Sequence, residues 1–354
     1  VSAPGGPLRC LELFAGAGGA ALGLAWAGVE HVALIERDPA ACATLRSAGL
    51  GLVIEGDAED VAARMKDWSA AIEPAAWARA GDDLLDSEIG GEDDDPDAWP
   101  LAREALASRL VAEAQRVDLL WSSPPCPLHS RANSRRRAEA FDGWPTTLAW
   151  VDALGPEWVA VENVQAALDV ARDVWTAALT RRGYSVVSAI LDAADYGVPQ
   201  WRRRVVLLAH RGGPVFLPEP THGFCRAPHR TLAEAVPLLL AEDDPHLRYT
   251  EGRAASERWR LGVPAPTVMT TEVKGTRASA ASGWTFHGGP DRASDAAYLA
   301  VGRRRLTWQE CAALQGFPEH HPWHGTAEER YRQVGNAVPP QLAEAIGRAL
   351  VSAA

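Results

Sequence analysis

Apolar residues along the chain gather in short runs separated by turn residues. Residues 8–14 form one such run, which ends in the glycine-rich turn Ala15-Gly16-Ala17-Gly18-Gly19. An Ala/Leu-rich helix to about residue 27 follows, then a strand over 31–35, a helix over 39–47 and a strand over 52–54. Further strands are predicted over 117–121 and 158–161, and two more, joined by a turn, over 186–191 and 205–209. Short apolar runs bounded by turn signals read as strands, and strands alternating with helices mean a doubly wound α/β sheet. Ligands in such sheets sit beyond the carboxyl ends of the strands. Phe14, Glu36, Asp57, the 122–130 loop and Glu162 fall at those ends.

Two stretches break the alternation. Residues 65–115 are an acidic, Trp-containing insertion, predicted as helix–loop–helix. Residues 212–300 are rich in Gly, Pro and Thr without a helical period, which predicts a smaller irregular or β-rich domain. Helical patterning returns over 307–314 and 340–350, and no internal repeat is present.

The formal net charge of -11 is unfavourable for binding a polyanion. It is unevenly distributed: nine acids and no base lie between Asp82 and Asp97. Arginines cluster at Arg135-Arg136-Arg137, Arg202-Arg203-Arg204 and Arg303-Arg304-Arg305, so local patches matter more than the overall sign. Five widely spaced cysteines (Cys10, Cys42, Cys126, Cys225, Cys311) form no CxxC pair. That argues against a disulfide framework or a zinc site and for reduced thiols in a cytoplasm. No run of about 20 apolar residues suits a membrane span, and the first residues lack a signal-peptide layout.

Four features carry candidate chemistry. Glycines let backbone approach a ligand closely, and a following helix presents its positive end. Glu36 stands twenty residues after Gly16 at the end of the next strand, where an acid can take two ribose hydroxyls. Asp57 follows the third strand and could accept from an adenine amino group; alternatively, both acids cap strand ends. Cys126 follows Pro124-Pro125, which stiffen the loop and remove donors. Polar Ser122, Ser123, His129 and Ser130 surround it, against the alternative of a core cysteine. Glu162 ends an apolar strand, where a carboxyl is costly unless paired or used; the alternative is an acid at a helix start.

The order of these motifs resembles the DNA cytosine-5 methyltransferase family over nearly the whole length. Leu11-Glu12-Leu13-Phe14-Ala15-Gly16-Ala17-Gly18-Gly19 resembles its first cofactor motif, with Glu36 and Asp57 where the family binds ribose and adenine. Ser123-Pro124-Pro125-Cys126 resembles its nucleophile loop, and Glu162-Asn163-Val164 its base-recognition motif. Gln200-Trp201-Arg202-Arg203-Arg204 resembles its Gln-x-Arg-x-Arg motif. Leu314-Gln315-Gly316-Phe317-Pro318 and Gln333-Val334-Gly335-Asn336-Ala337-Val338-Pro339 resemble its last two blocks.

The resemblance implies methyl transfer from S-adenosylmethionine to C5 of a flipped-out cytosine in double-stranded DNA, by a monomeric enzyme without metal. The fold implied is a Rossmann-like methyltransferase sheet. Cys126 would add to C6, Glu162 would hold N3 and the exocyclic amine, Arg202 would anchor the base carbonyl, and Arg204 would support Glu162. Phe14, Gly16, Gly18, Gly19, Glu36, Asp57, Pro125 and Asn336 would hold the cofactor. Ser130, Arg131, Arg135, Arg136, Arg137 and Gln200 would contact substrate. Residues 1–211 would be the catalytic domain, 212–302 a target-recognition domain, and 303–354 a return to the catalytic domain. The chain departs from the family in Pro127-Leu128-His129-Ser130 after the cysteine and in its long insertion. The main rival is a cytosine-5 RNA (tRNA) methyltransferase of the same family, disfavoured because its Cys-Phe-Thr signature is missing from 212–300. A silent DNA-binding homologue is disfavoured by the intact Cys126, Glu162, Arg202 and Arg204 set. A dinucleotide-dependent oxidoreductase would leave Pro-Pro-Cys and Gln-x-Arg-x-Arg unexplained.

Overall fold

A computed structural model describes residues 6–61, 117–125, 143–236, 264–265, 267–268 and 306–354. The acidic insertion, Cys126 with the loop behind it, and most of 212–302 lie outside the described residues. Seven strands form one sheet: β1 (Arg9–Leu13), β2 (Glu30–Glu36), β3 (Leu52–Glu55), β4 (Leu119–Ser122), β5 (Trp158–Val164), β6 (Ser185–Asp192) and β7 (Arg203–His210). The order is β3-β2-β1-β4-β5-β7-β6. The first five strands pair in parallel, while β7 runs antiparallel to both β5 and β6. The doubly wound sheet is the one expected from the sequence, with β7 entering it antiparallel.

Each face has its own core. On one, Leu11, Leu13, Val159, Val161 and Leu207 meet Trp144, Trp150, Val151, Trp175 and Leu179. These come from α3 (Gly143–Leu154) and from a helical run over 165–180 that contains a π turn at Ala171–Trp175. On the other face, Cys10, Leu119, Trp121, Trp158, Ala160, Val206 and Leu208 meet Leu24, Leu342, Ile346 and Leu350. Those leucines and the isoleucine belong to α1 (Gly19–Trp26) and the final helix, Pro340–Ala353. The two helices touch backbone to backbone: a Cβ on Gly23 would fall 2.0 Å from the Pro340 carbonyl oxygen. Burying the final helix's apolar stripe against α1 ties the end of the chain to its beginning.

Glu12 and His31, both almost wholly buried, meet at 3.1 Å. Burial pushes the Glu12 carboxyl up, opposed by the hydrogen bond from His31. The other helices are α2 (Pro39–Ala48), α4 (Leu232–Ala235), α5 (Trp308–Leu314) and α6 (Ala327–Asn336), the final helix being α7. Asp38 caps α2, and Thr307 and Thr326 close capping boxes with Glu310 and Glu329 at α5 and α6. α5 and α6 supply a third cluster, in which Leu314, Phe317, Trp323 and Val334 pack with Ala17, Leu232 and Val268. That cluster underlies the glycine-rich turn.

β5 runs three residues beyond its predicted end, so Glu162 lies within the strand, opposite Val206, rather than closing it. Four helical stretches among the described residues have no counterpart in the sequence reading: α3, the 165–180 run, α4 and α6.

Candidate active site

Strand alternation decides which side chains meet. Trp121 and Trp158 point into the α1–α7 face, so by the two-residue period Ser123 and Glu162 point the same way. Val206 and Leu208 share that face, which puts Arg204 on it as well. β4 and β7 flank β5. Ser123, Glu162 and Arg204 therefore converge from three adjacent strands.

Glu162 is 7% exposed. Its Oε1 lies 3.0 Å from Arg204 Nε. Burial raises the carboxyl's pKa, while Arg204, Arg202 and a hydrogen bond from Ser123 pull it down. Neighbouring Asn163 turns the other way. Its amide donates to the Pro124 carbonyl oxygen at 3.1 Å and accepts from the Val164 N–H at 2.8 Å. The amide thus pins the Pro124-Pro125 segment, whose second proline is exposed and leads directly to Cys126. Cys126, Ser130, Arg131, Arg135, Arg136 and Arg137 lie outside the described residues.

The arginines of the Gln-x-Arg-x-Arg motif divide differently from expectation. Arg202 is 1% exposed. Its guanidinium donates to the carbonyl oxygens of Val268 (3.0 Å), Gly335 (2.8 Å) and Ala337 (2.9 Å). These contacts clamp two chain segments that are distant in sequence. Burial also holds its pKa well down. Gln200, expected to contact substrate, is fully buried. Its amide donates to Leu314 O and Gln315 Oε1 and accepts from Val268 N–H, so both ends are used internally. These partners come from chain segments far away in sequence, which local spacing does not reveal.

At the glycine-rich turn, Phe14 takes a left-handed backbone (φ 58), as do Gly16 (φ 56) and Gly18 (φ 80). Only at Gly16 would a Cβ meet open space. At Gly18 it would strike Leu45, and at Gly19 it would lie 2.1 Å from the Val338 carbonyl oxygen. Glycine at those two positions answers to internal packing, whereas Gly16 leaves room for a ligand. The Glu36 carboxylate receives the N–H groups of Gly16 (2.7 Å), Arg37 (2.9 Å) and Asp38 (2.8 Å). It therefore ties the turn to the end of β2 while staying half-buried. Asp57 is also half-buried; it accepts from Glu59 N–H at 3.0 Å and pairs with Arg37 at 3.3 Å. Asn336 is exposed at the end of α6.

Sequence reasoning missed two contributors. His321 is buried and donates from Nε2 to the Ala17 carbonyl oxygen at 3.1 Å, fixing the turn from below. Burial pushes its pKa down to about 4, so the imidazole is neutral at physiological pH. Ser123, read before only as a polar neighbour of Cys126 and part of its motif, reaches Glu162; its place two residues after Trp121 on a strand end is the signal for it. Among the described residues, no group of His, Cys, Asp and Glu is placed to hold a metal ion, and no helix is long and apolar enough to cross a membrane.

Open space at Gly16, two half-buried acids at neighbouring strand ends and the start of α1 suit a nucleoside bearing an anionic group. The chain is 30% identical to the Type II methyltransferase M.NgoMIV of Neisseria gonorrhoeae, over 97% of each protein. It is 30% identical to the Type II methyltransferase M.NaeI of Lentzea aerocolonigenes, over 98% of this chain and 75% of that one. The fold matches that of the S. pombe Dnmt2 methyltransferase with a TM-score of 0.58 at 18% identity, covering 98% of this chain and 99% of the other. A model of C-5 cytosine-specific DNA methylases matches residues 8–71 and 105–352. The chain belongs to the C-5 cytosine-specific DNA methylase family.

Proposed function

We propose that this protein transfers a methyl group from S-adenosylmethionine to C5 of a cytosine flipped out of duplex DNA, through a covalent bond between Cys126 and C6. The observation that carries this reading is the convergence of Glu162, Arg204 and Ser123 beside the pinned Pro124-Pro125 segment, one residue before Cys126. Relatives that are Type II methyltransferases support a DNA substrate and a restriction–modification setting.

Cytosine C5 is a poor nucleophile. Addition of the Cys126 thiolate to C6 makes C5 enamine-like and puts negative charge on the ring. Glu162 accepts from the exocyclic amine and holds a proton at N3, relieving that charge. Burial, which raises its pKa above the usual carboxylate range, favours the proton-bearing form that this role needs. Arg204, whose guanidinium adjoins Glu162, takes the base-carbonyl role first expected of Arg202. Phe14, Gly16, Glu36, Asp57, Pro125 and Asn336 would hold the cofactor, which supplies an electrophilic methyl group when bound. Loss of the C5 proton and then of Cys126 completes the turnover. Base flipping is required because C5 and C6 are inaccessible within the stack. Residues 212–302 would read base edges in the major groove. Arg135, Arg136 and Arg137 would neutralise phosphates, with Ser130 and Arg131 in the same loop.

A duplex carrying 5-fluorocytosine at the target site tests the covalent step, because fluorine cannot leave as a proton does. With S-adenosylmethionine present, the protein is expected to form a denaturation-stable adduct and Cys126→Ser none. An adduct in Cys126→Ser would refute the nucleophile, and no adduct in the parent protein on a DNA it methylates would refute the mechanism.

A further inference from the structure

Ser123 stands where two strongly directional groups meet. Trp121 Nε1 lies 3.0 Å from Ser123 Oγ. An indole N–H can only donate, so the serine oxygen is the acceptor. The hydroxyl keeps one proton to give, and Glu162 is the group that receives it. Trp121 is 1% exposed within the α1–α7 core, so its ring is fixed by packing. The Ser123 backbone is held as well, its N–H donating to the Leu13 carbonyl oxygen at 3.3 Å. A rigid indole thus sets the direction of a rotatable hydroxyl.

We infer that Ser123, oriented by Trp121, is a positioning residue for Glu162, complementing Arg204 on the carboxyl group. This rests on the proposed role of Glu162 toward the base. Arg204 supplies charge to the carboxyl from β7. A second donor from another strand constrains its orientation. It also favours the ionised carboxylate, which the buried site disfavours. Ser123 therefore orients Glu162 and adds a smaller contribution to those of Arg204 and Arg202, which oppose the effect of burial on its proton exchange. The chain Trp121–Ser123–Glu162 links the strand that leads into the Pro124-Pro125 segment to the strand carrying Glu162.

The titration of Glu162 can be read without turnover, as the infrared carboxyl band that Glu162→Gln abolishes. Ser123→Ala is expected to raise the midpoint of that band by about one pH unit, the scale set by loss of one hydrogen bond to a carboxylate. Ser123→Thr should restore it, and Trp121→Phe should give an intermediate shift because the hydroxyl loses its fixed direction. The Glu162 limb of the pH profile of methyl transfer should move in the same direction, with the KM for S-adenosylmethionine unchanged. Should Ser123→Ala fold poorly, Ser123→Cys, close in shape but a weak donor, serves in its place. A midpoint identical to the parent protein's in the folded variant would overturn the inference. A shifted midpoint in a protein that methylates no DNA would uphold it while refuting the functional assignment.

Discussion

Arg204 Nε sits 3.0 Å from Glu162 Oε1, with only 13% and 9% of the two side chains exposed. Two residues earlier in the same motif, Arg202 is sealed in and bound to three carbonyl oxygens. Both arginines project on the same side of the chain, yet one faces a titratable acid and the other clamps backbone. The difference comes from what covers each. Residues 335–337 and Val268 close over Arg202, while Arg204 lies one turn of the pleat closer to Glu162.

Substitution should separate these roles. Arg204→Ala is expected to lower kcat by about 10²–10³, the usual cost of removing a donor from developing charge, with a stability loss limited by uptake of a proton at the Glu162 carboxyl left without its partner. Arg202→Met is expected to destabilise the fold, because each of the three buried carbonyl oxygens left unpaired costs about 1–3 kcal/mol. Thermal unfolding beside single-turnover kinetics checks both, and the reverse pattern would exchange the two assignments.

Glu36 has two tasks that one experiment can resolve. Its carboxylate holds the Gly16, Arg37 and Asp38 N–H groups and is proposed to take the cofactor ribose. Glu36→Ala should weaken S-adenosylmethionine binding by roughly 1.5–3 kcal/mol, the range for hydrogen bonds to a charged group. Isothermal calorimetry measures this directly. Unchanged affinity would leave Glu36 as a cap on the turn and nothing more.

The two ends of the glycine-rich turn should respond in opposite ways. Gly16→Ala places a methyl in open space but strains a left-handed backbone. It should cost about 1–2 kcal/mol of stability and a larger share of cofactor affinity. Gly19→Ala drives a methyl into the Val338 carbonyl. Its cost should approach about 3 kcal/mol, the upper end for overpacking, with cofactor affinity falling only as the C-terminal segment loosens. Equal losses of affinity and stability in both variants would contradict this division.

Much of this was legible in the sequence. Strands announce themselves when they are buried on both faces, as β1, β2, β5 and β7 are, because their residues are then continuously apolar. α3 hides because Gly143, Pro145, Thr146 and Thr147 are poor helix formers; burial of Trp144, Trp150 and Val151 overrides them. α6 hides for the opposite reason, its surface being mostly polar, although the Thr326–Glu329 capping box was a readable start. Pairing of Glu162 with Arg204 followed from motif resemblance and holds in the geometry. The burial of Gln200 and Arg202 did not, because their partners at Val268, Leu314 and Gly335 come from distant segments. Ser123 was visible as a residue but not as a contact: only the sheet register brings β4 and β5 together at that point.

The central claim is that this chain methylates C5 of cytosine in DNA. Incubation of the purified protein with duplex DNA of mixed sequence and S-adenosylmethionine bearing an isotopically labelled methyl group tests it most directly. The DNA is digested to nucleosides, which are separated and identified by mass and fragmentation. The account predicts labelled 5-methylcytosine in the DNA, absent when Glu162→Gln replaces the parent protein and absent from RNA treated in parallel. Label on the exocyclic nitrogen of cytosine, on another base, or in RNA alone would contradict it.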